Sequence, residues 1–206
     1  MFSIDDYELI QNESELAKFK ADNQDITWMS LDTEFIGERR YQTLLCLIQV
    51  ATERGLYVLD PLKLSNIQPI LDLIINPNVT KITHAGENDY RLINELYGIF
   101  PINVFDTQIA AGFLGYKFPI SFRKLVEEEL GIRLSKDQTV TDWEMRPMKN
   151  GQIKYALEDI IPLHSLWQRL THKISTLQRL DWVQEETQRL EQKSFYDMKS
   201  AQRSVG

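Results

Sequence analysis

The chain has 206 residues, 43% of them hydrophobic and 26% charged, with a formal net charge of −7. That length builds one compact domain with a substantial core, and no apolar run nears the ~18 residues that a membrane helix needs. A single cysteine, Cys46, excludes an internal disulfide and a cysteine-based zinc site, and the negative balance argues against a broad, nonspecific polyanion binder.

The N-terminal MFSIDDYELI lacks the basic region and apolar core of a signal peptide, so a cytoplasmic protein is expected. Tyr7 to Ile10 reads as a short edge strand and Glu13 to Ala21 as a helix. Thr27 to Glu34 (TWMSLDTE) alternates as a strand does. Leu44 to Thr52 (LLCLIQVAT) is almost continuously apolar, the pattern of a strand buried on both faces; Cys46 within it reads as core filler. Arg54-Gly55 turns the chain into Leu56 to Leu59, and Asp60-Pro61 ends that strand. Ser65 is expected to cap a helix reaching Ile75. Lys81 to His84 is a short strand. Glu87 to Tyr97 is an amphipathic helix stopped by Gly98. Asn103 to Phe105 is a further strand leading into a helix over Thr107 to Leu114. Ser121 caps a helix that ends at Gly131. Asn150 is expected to cap one long helix from about Gln152 to Ile174, bent at Pro162. Asp181 to Gln192 is the last helix, and the tail from Ser194 reads as weakly ordered. Three strands that hairpin together, then strands separated by helices, imply an α/β fold: a mixed sheet of five or six strands with helices on both faces.

Acidic residues mark the candidate chemistry. Asp32 and Glu34 are two apart on a strand, so both face one way and Thr33 the other. Two acids on a covered face repel each other and lose hydration, and a bound cation relieves both costs. Asp89 falls in the first turn of a helix, where the dipole alone favours an acid. Tyr155 and Asp159 share a helical face at i and i+4, with Glu158 turned away. His84 closes a strand as a positional or hydrogen-bonding residue. Oxygen donors without sulfur or nitrogen favour magnesium or manganese over zinc. Two such ions ~3.5–4 Å apart can activate a water and stabilise the leaving oxygen of an in-line phosphoryl displacement. A tyrosine hydroxyl can orient that water. Basic groups that could meet a phosphate are Arg39, Arg40, Arg123, Lys124, Arg133, Lys136, Arg146 and Lys149.

Together these segments resemble ribonuclease D and the tyrosine-type branch of the DEDD 3′→5′ exonucleases. The resemblance runs from about Trp28 to Leu166 and rests on LDTEF (Leu31 to Phe35), HAGEND (His84 to Asp89) and YALED (Tyr155 to Asp159). FDTQIAAGFLG (Phe105 to Gly115) and TDWEMRPM (Thr141 to Met148) point to ribonuclease D within the superfamily. The order of elements suits a ribonuclease-H-like core. The resemblance implies that Asp32 bridges two divalent cations, Mg²⁺ or Mn²⁺. Glu34 and Asp159 would help hold the ion that activates water, Asp89 would help hold the other, and Tyr155 would orient the water. Phe35 would pack on the terminal base or sugar, and His84, Trp143 and Arg146 are carried over as substrate-binding residues, although for Arg146 bracing its loop is favoured over a phosphate contact.

The expected function is exonucleolytic trimming of RNA 3′ ends, in tRNA precursors or small RNAs, with release of nucleoside 5′-monophosphates by a cytoplasmic monomer. Two alternatives stand beside it: a DNA exonuclease of the same superfamily, and an inactive RNA-binding or scaffold domain. Residues 1–193 are expected to form the nuclease domain and 194–206 a tail, with no HRDC domain following.

Overall fold

The computed structural model describes residues 3–37, 43–134 and 142–197. Among these, six strands form one sheet: β1 (Tyr7–Ile10), β2 (Trp28–Ile36), β3 (Leu44–Thr52), β4 (Leu56–Leu59), β5 (Thr80–Thr83) and β6 (Val104–Asp106). Their order is β1-β4-β3-β2-β5-β6. β3 pairs antiparallel with both β2 and β4, whereas β1 on β4, β5 on β2 and β6 on β5 are parallel. The hairpin between β3 and β4 closes where Thr52 N–H donates to the Gly55 carbonyl at 3.0 Å. Helices cover both faces of the central strand β3, which explains its composition: Cys46, Leu47 and Val50 are fully buried.

The helices are α1 (Glu13–Asp22), α2 (Gln68–Ile75), α3 (Glu87–Tyr97), α4 (Thr107–Phe113), α5 (Phe122–Leu130), α6 (Asn150–Glu158), α7 (Leu163–Thr176) and α8 (Leu180–Gln188). Helices α1, α2 and α3 cover one face through Phe19, Ile70, Ile74, Tyr90 and Ile93, which pack on Met29, Leu31, Ile48 and Val50. The opposite face takes α6 and the start of α7, through Ile153, Ala156, Leu157 and Leu163 against Leu47, Ala51, Val58 and Ile82. A third cluster ties α4, α5, α7 and α8 together around Leu125, Leu166, Leu170 and Val183. None of these helices is long and apolar enough to cross a membrane.

Several expectations need correction. The long late helix is two helices: α6 ends at Glu158 and α7 begins at Leu163, with Pro162 just ahead of it. Proline lacks the N–H and crowds the preceding turn, so here it separates the helices instead of bending one. Asn150 is the first residue of α6, and the cap position belongs to Lys149, whose backbone N–H donates to Gln152 Oε1 at 2.9 Å. Ser65 does not cap α2; its hydroxyl donates to Glu13 Oε1 at 2.7 Å, and the helix starts at Gln68 with Pro69 in its first turn. Lastly, order continues past Ser194. Tyr196 is buried and its hydroxyl donates to the Leu190 carbonyl at 2.6 Å, while the Arg91 guanidinium lies 4.0 Å above the Phe195 ring. Residues 198–206, together with Arg39, Arg40, Lys136 and Thr141, lie outside the described residues.

Candidate active site

The acids meet at the C-terminal half of β2. Asp32 and Glu34 leave the sheet on the side covered by α6 and α7, just before a bulge between Glu34 and Phe35. Asp159 caps the C-terminus of α6, whose buried Ile153, Ala156 and Leu157 press that helix onto the sheet. One carboxylate oxygen from each of Asp32, Glu34 and Asp159 lies within 4.8 Å of the other two. These residues therefore gather from two distant segments, as the sequence pattern required.

Asp89 reaches the site from the other side. Thr33 points to the face under α3, as strand alternation dictates, and there its hydroxyl donates to Asp89 Oδ1. Asp89 stands outside the tight group of three, yet its charge acts on Asp32. The turn that delivers it is held by Asp106, whose carboxylate accepts from the N–H groups of Ala85 (3.1 Å) and Gly86 (2.9 Å) as well as those of Gln108 and Ile109. Ala85 adopts the left-handed region (φ 55°), a conformation that such anchoring maintains. A Cβ on Gly86 would fall 2.6 Å from Thr83 Oγ1, so only glycine lets α3 start this close to β5.

Burial and mutual repulsion dominate the electrostatics. Burial, then the charges of Asp89, Asp159 and Glu34, push the Asp32 carboxyl well above the ordinary range. Glu34 is raised to about 8 by burial and by Asp159 and Asp89, against a hydrogen bond from Gln49. Burial lifts Asp89 to about 6 despite the Thr33 hydroxyl, and lifts Asp159 to about 6 despite the nearby Arg123 cation. Asp32 and Glu34 therefore hold protons at neutral pH until a cation displaces them. The donor set is all oxygen, which fits a hard divalent ion. Asp32 and Asp159 open onto a cavity of about 220 Å³, also lined by Leu31, His84, Phe122 and Leu163.

The remaining expected residues divide. Tyr155 is half-buried one turn before Asp159, and Phe35 is 40% exposed beside the acids, free to meet a ligand. Trp143, expected to bind substrate, is instead buried in the core under α6, its ring 6.5 Å from that of Tyr155. Arg146 is a brace. Nε and Nη2 grip Asp60 at 2.7 Å each, Nη2 also donates to the Cys46 carbonyl, and Nη1 donates to those of Trp143 and Met145. All five guanidinium donors are used, leaving none for a phosphate. His84 also has its polar atoms occupied, with Nδ1 2.9 Å from Thr107 Oγ1 and Nε2 3.1 Å from the Ile120 carbonyl. It meets the cavity with its ring alone, and burial lowers its pKa. Thr33, Gln49 and Asp106 were not assigned roles from the sequence, and Arg123 was named there only as a basic group that could meet a phosphate. The nearest signals for the first three were the Asp-Thr-Glu triplet itself, one amide in an apolar strand and the FDTQ segment.

This site lies within a chain that matches the family model described as 3′-5′ exonuclease over residues 7–175, and the chain belongs to that family. Within it, the likeness is to ribonuclease D. The ribonuclease D of Sphingobium indicum is 37% identical over 193 residues, covering 93% of this chain and 50% of that protein. The crystal structure of Escherichia coli RNase D superposes with a TM-score of 0.85 at 30% identity, covering 90% of this chain and 49% of that one. The catalytic core of RRP6 from Trypanosoma brucei follows at a TM-score of 0.82 and 25% identity, covering 90% and 51%. The ribonuclease-H-like mixed sheet expected from the sequence is thus the fold of the chain. The chain spans about half the length of the curated relatives it matches.

Proposed function

We propose that this chain is a metal-dependent 3′→5′ exoribonuclease that removes nucleoside 5′-monophosphates one at a time from single-stranded RNA 3′ ends. The observation that carries the reading is the convergence of Asp32, Glu34 and Asp159 within 4.8 Å, with Asp89 brought alongside through Thr33, in a chain of the 3′-5′ exonuclease family.

In this reading Asp32, Glu34, Asp159 and Asp89 hold two divalent cations, Mg²⁺ or Mn²⁺. When bound, such ions supply an acidified water and stabilise charge on the scissile phosphate. The protein's own side chains do the rest. Tyr155, one turn from Asp159, hydrogen-bonds the attacking water and fixes its direction. Phe35 stacks on the terminal base, a contact every base can make. Asp32 and Glu34, pushed furthest up by burial and by their acidic neighbours, hold protons until cations arrive, which lowers the negative charge that the empty site presents to a polyanion.

Ribonucleic acid is favoured over DNA because the similarity is to ribonuclease D, and the E. coli protein is an exoribonuclease involved in structured RNA processing. The proposal includes a monomer acting in the cytoplasm on tRNA precursors or small RNAs, with the nuclease unit extended past residue 193 to take in the packed residues up to 197. The test is a 5′-labelled RNA and its DNA counterpart incubated with Mg²⁺, Mn²⁺ or EDTA. A metal-dependent ladder receding from the 3′ end, preferring RNA and absent with Asp32→Asn, is expected. No shortening with any metal while RNA still binds would leave a binding domain instead, and equal or faster digestion of DNA would move the substrate.

A further inference from the structure

Strand β3 is apolar from Leu44 to Ala51 with one exception, Gln49. That amide is fully buried. The register sets it opposite Asp32, so the two side chains leave the same face of the sheet as neighbours. Its Nε2 donates to Glu34 Oε1 across a long 3.5 Å. Its Oε1, although buried, has no hydrogen-bond partner among the described residues. An acceptor left unmade in this way destabilises the fold, and an apolar side chain would complete the strand without that cost. Nothing in the strand's own geometry asks for an amide. What lies within its reach is the acidic group: its Nε2 meets Glu34, and Asp32 is its cross-strand neighbour.

We infer that Gln49 is a positioning residue of the metal centre: its amide N–H fixes the Glu34 carboxylate, and its free Oε1 accepts a hydrogen bond from the hydration shell of a divalent cation held by Asp32 and Glu34. The inference rests on the proposed metal centre. It accounts for both halves of the side chain, the donor that is used and the acceptor that is not. Partners behind a ligating carboxylate commonly govern how tightly the site holds its ion.

Gln49→Met keeps the length and volume of the side chain and removes both polar ends. Two quantities are read on EDTA-stripped protein: Mn²⁺ affinity by isothermal titration, and the metal-free melting temperature. The expected result is Mn²⁺ binding weakened about 10- to 100-fold, with a melting temperature equal to or above that of the wild type because an unpaired buried acceptor has gone. Unchanged Mn²⁺ affinity overturns the inference. A lower metal-free melting temperature also overturns it, since it marks an amide kept for the fold. Gln49→Leu is measured alongside, and failure of both variants to fold overturns it on the same ground. Wild-type protein that binds no Mn²⁺ removes the metal centre itself; wild-type binding matched by both variants removes only the role of Gln49.

Discussion

Asp32→Asn is expected to stabilise the metal-free protein while abolishing its nuclease activity. Asp32 sits among three other acids, and its oxygen lies within 4.8 Å of those of Glu34 and Asp159. Two unit charges about 5 Å apart repel by roughly 3 kcal/mol at an effective dielectric of ~20 and by under ~1 kcal/mol in bulk water. The cluster borders an open cavity, and its members reduce their repulsion by holding protons, so the net penalty falls between these limits, at about 2 kcal/mol. Removing it raises the melting temperature by roughly 4–8 °C for a chain of this size. The assay is thermal unfolding at pH 8 in EDTA, repeated in Mn²⁺. Wild type is lifted by the cation; the variant starts higher and gains less. A melting temperature for Asp32→Asn in EDTA equal to or below that of wild type would refute the claim that the acids strain the empty site.

The same acids set a pH dependence. Their folded pKa values are raised, Glu34 to about 8 and Asp89 and Asp159 to about 6, so between pH 4.5 and 8 the folded state binds more protons than the unfolded one. Stability of the metal-free protein therefore falls as pH rises through that window, and Mn²⁺ affinity climbs over it because ions displace those protons; melting curves and titrations at pH 5.5, 6.5, 7.5 and 8.5 check both slopes. Arg146→Met leaves the Asp60 carboxylate buried without its cation, for a loss of about 3–5 kcal/mol in urea unfolding, with KM for RNA unchanged; a raised KM at unaltered stability would return Arg146 to substrate binding. Phe35→Ala removes a stacking surface worth about 1–3 kcal/mol, so KM should rise 5-fold or more to a similar extent whichever base ends the RNA. A KM effect confined to one terminal base would instead mean base-specific recognition.

Where periodicity and punctuation act locally, the sequence was legible. The strands over Leu44–Thr52 and Leu56–Leu59 and the helix Glu87–Tyr97 have the limits that alternation, the Arg54-Gly55 turn and Gly98 foretold. The convergence of Asp32, Glu34 and Asp159 was legible as well, because short motifs each carried an acid at a spacing that a strand or helix turns to one side. Pro162 was read too weakly: a pattern of apolar residues continues across it, and only the packing of α7 beside α4 and α5 shows that the chain starts a new helix there. Bracing was the favoured reading of Arg146, but its partner could not be named from sequence because Asp60 is 86 residues away. Asp106 and Gln49 were missed for the same reason, since their partners in the Ala85-Gly86 turn and on β2 become neighbours only through sheet pairing. The stretch after Ser194 hid two aromatic rings that find cover only in the fold, Phe195 under Arg91 and Tyr196 against Phe100 with its hydroxyl on the Leu190 carbonyl.

The most direct test of the central claim is anomalous diffraction from crystals of the protein soaked in Mn²⁺ with a short single-stranded RNA. Anomalous density is expected in contact with carboxylate oxygens of Asp32, Glu34 and Asp159, and a second peak toward Asp89, with the RNA 3′ end beside Phe35. Protein that digests RNA yet shows no Mn²⁺ at these four carboxylates would contradict the assignment of the metal centre.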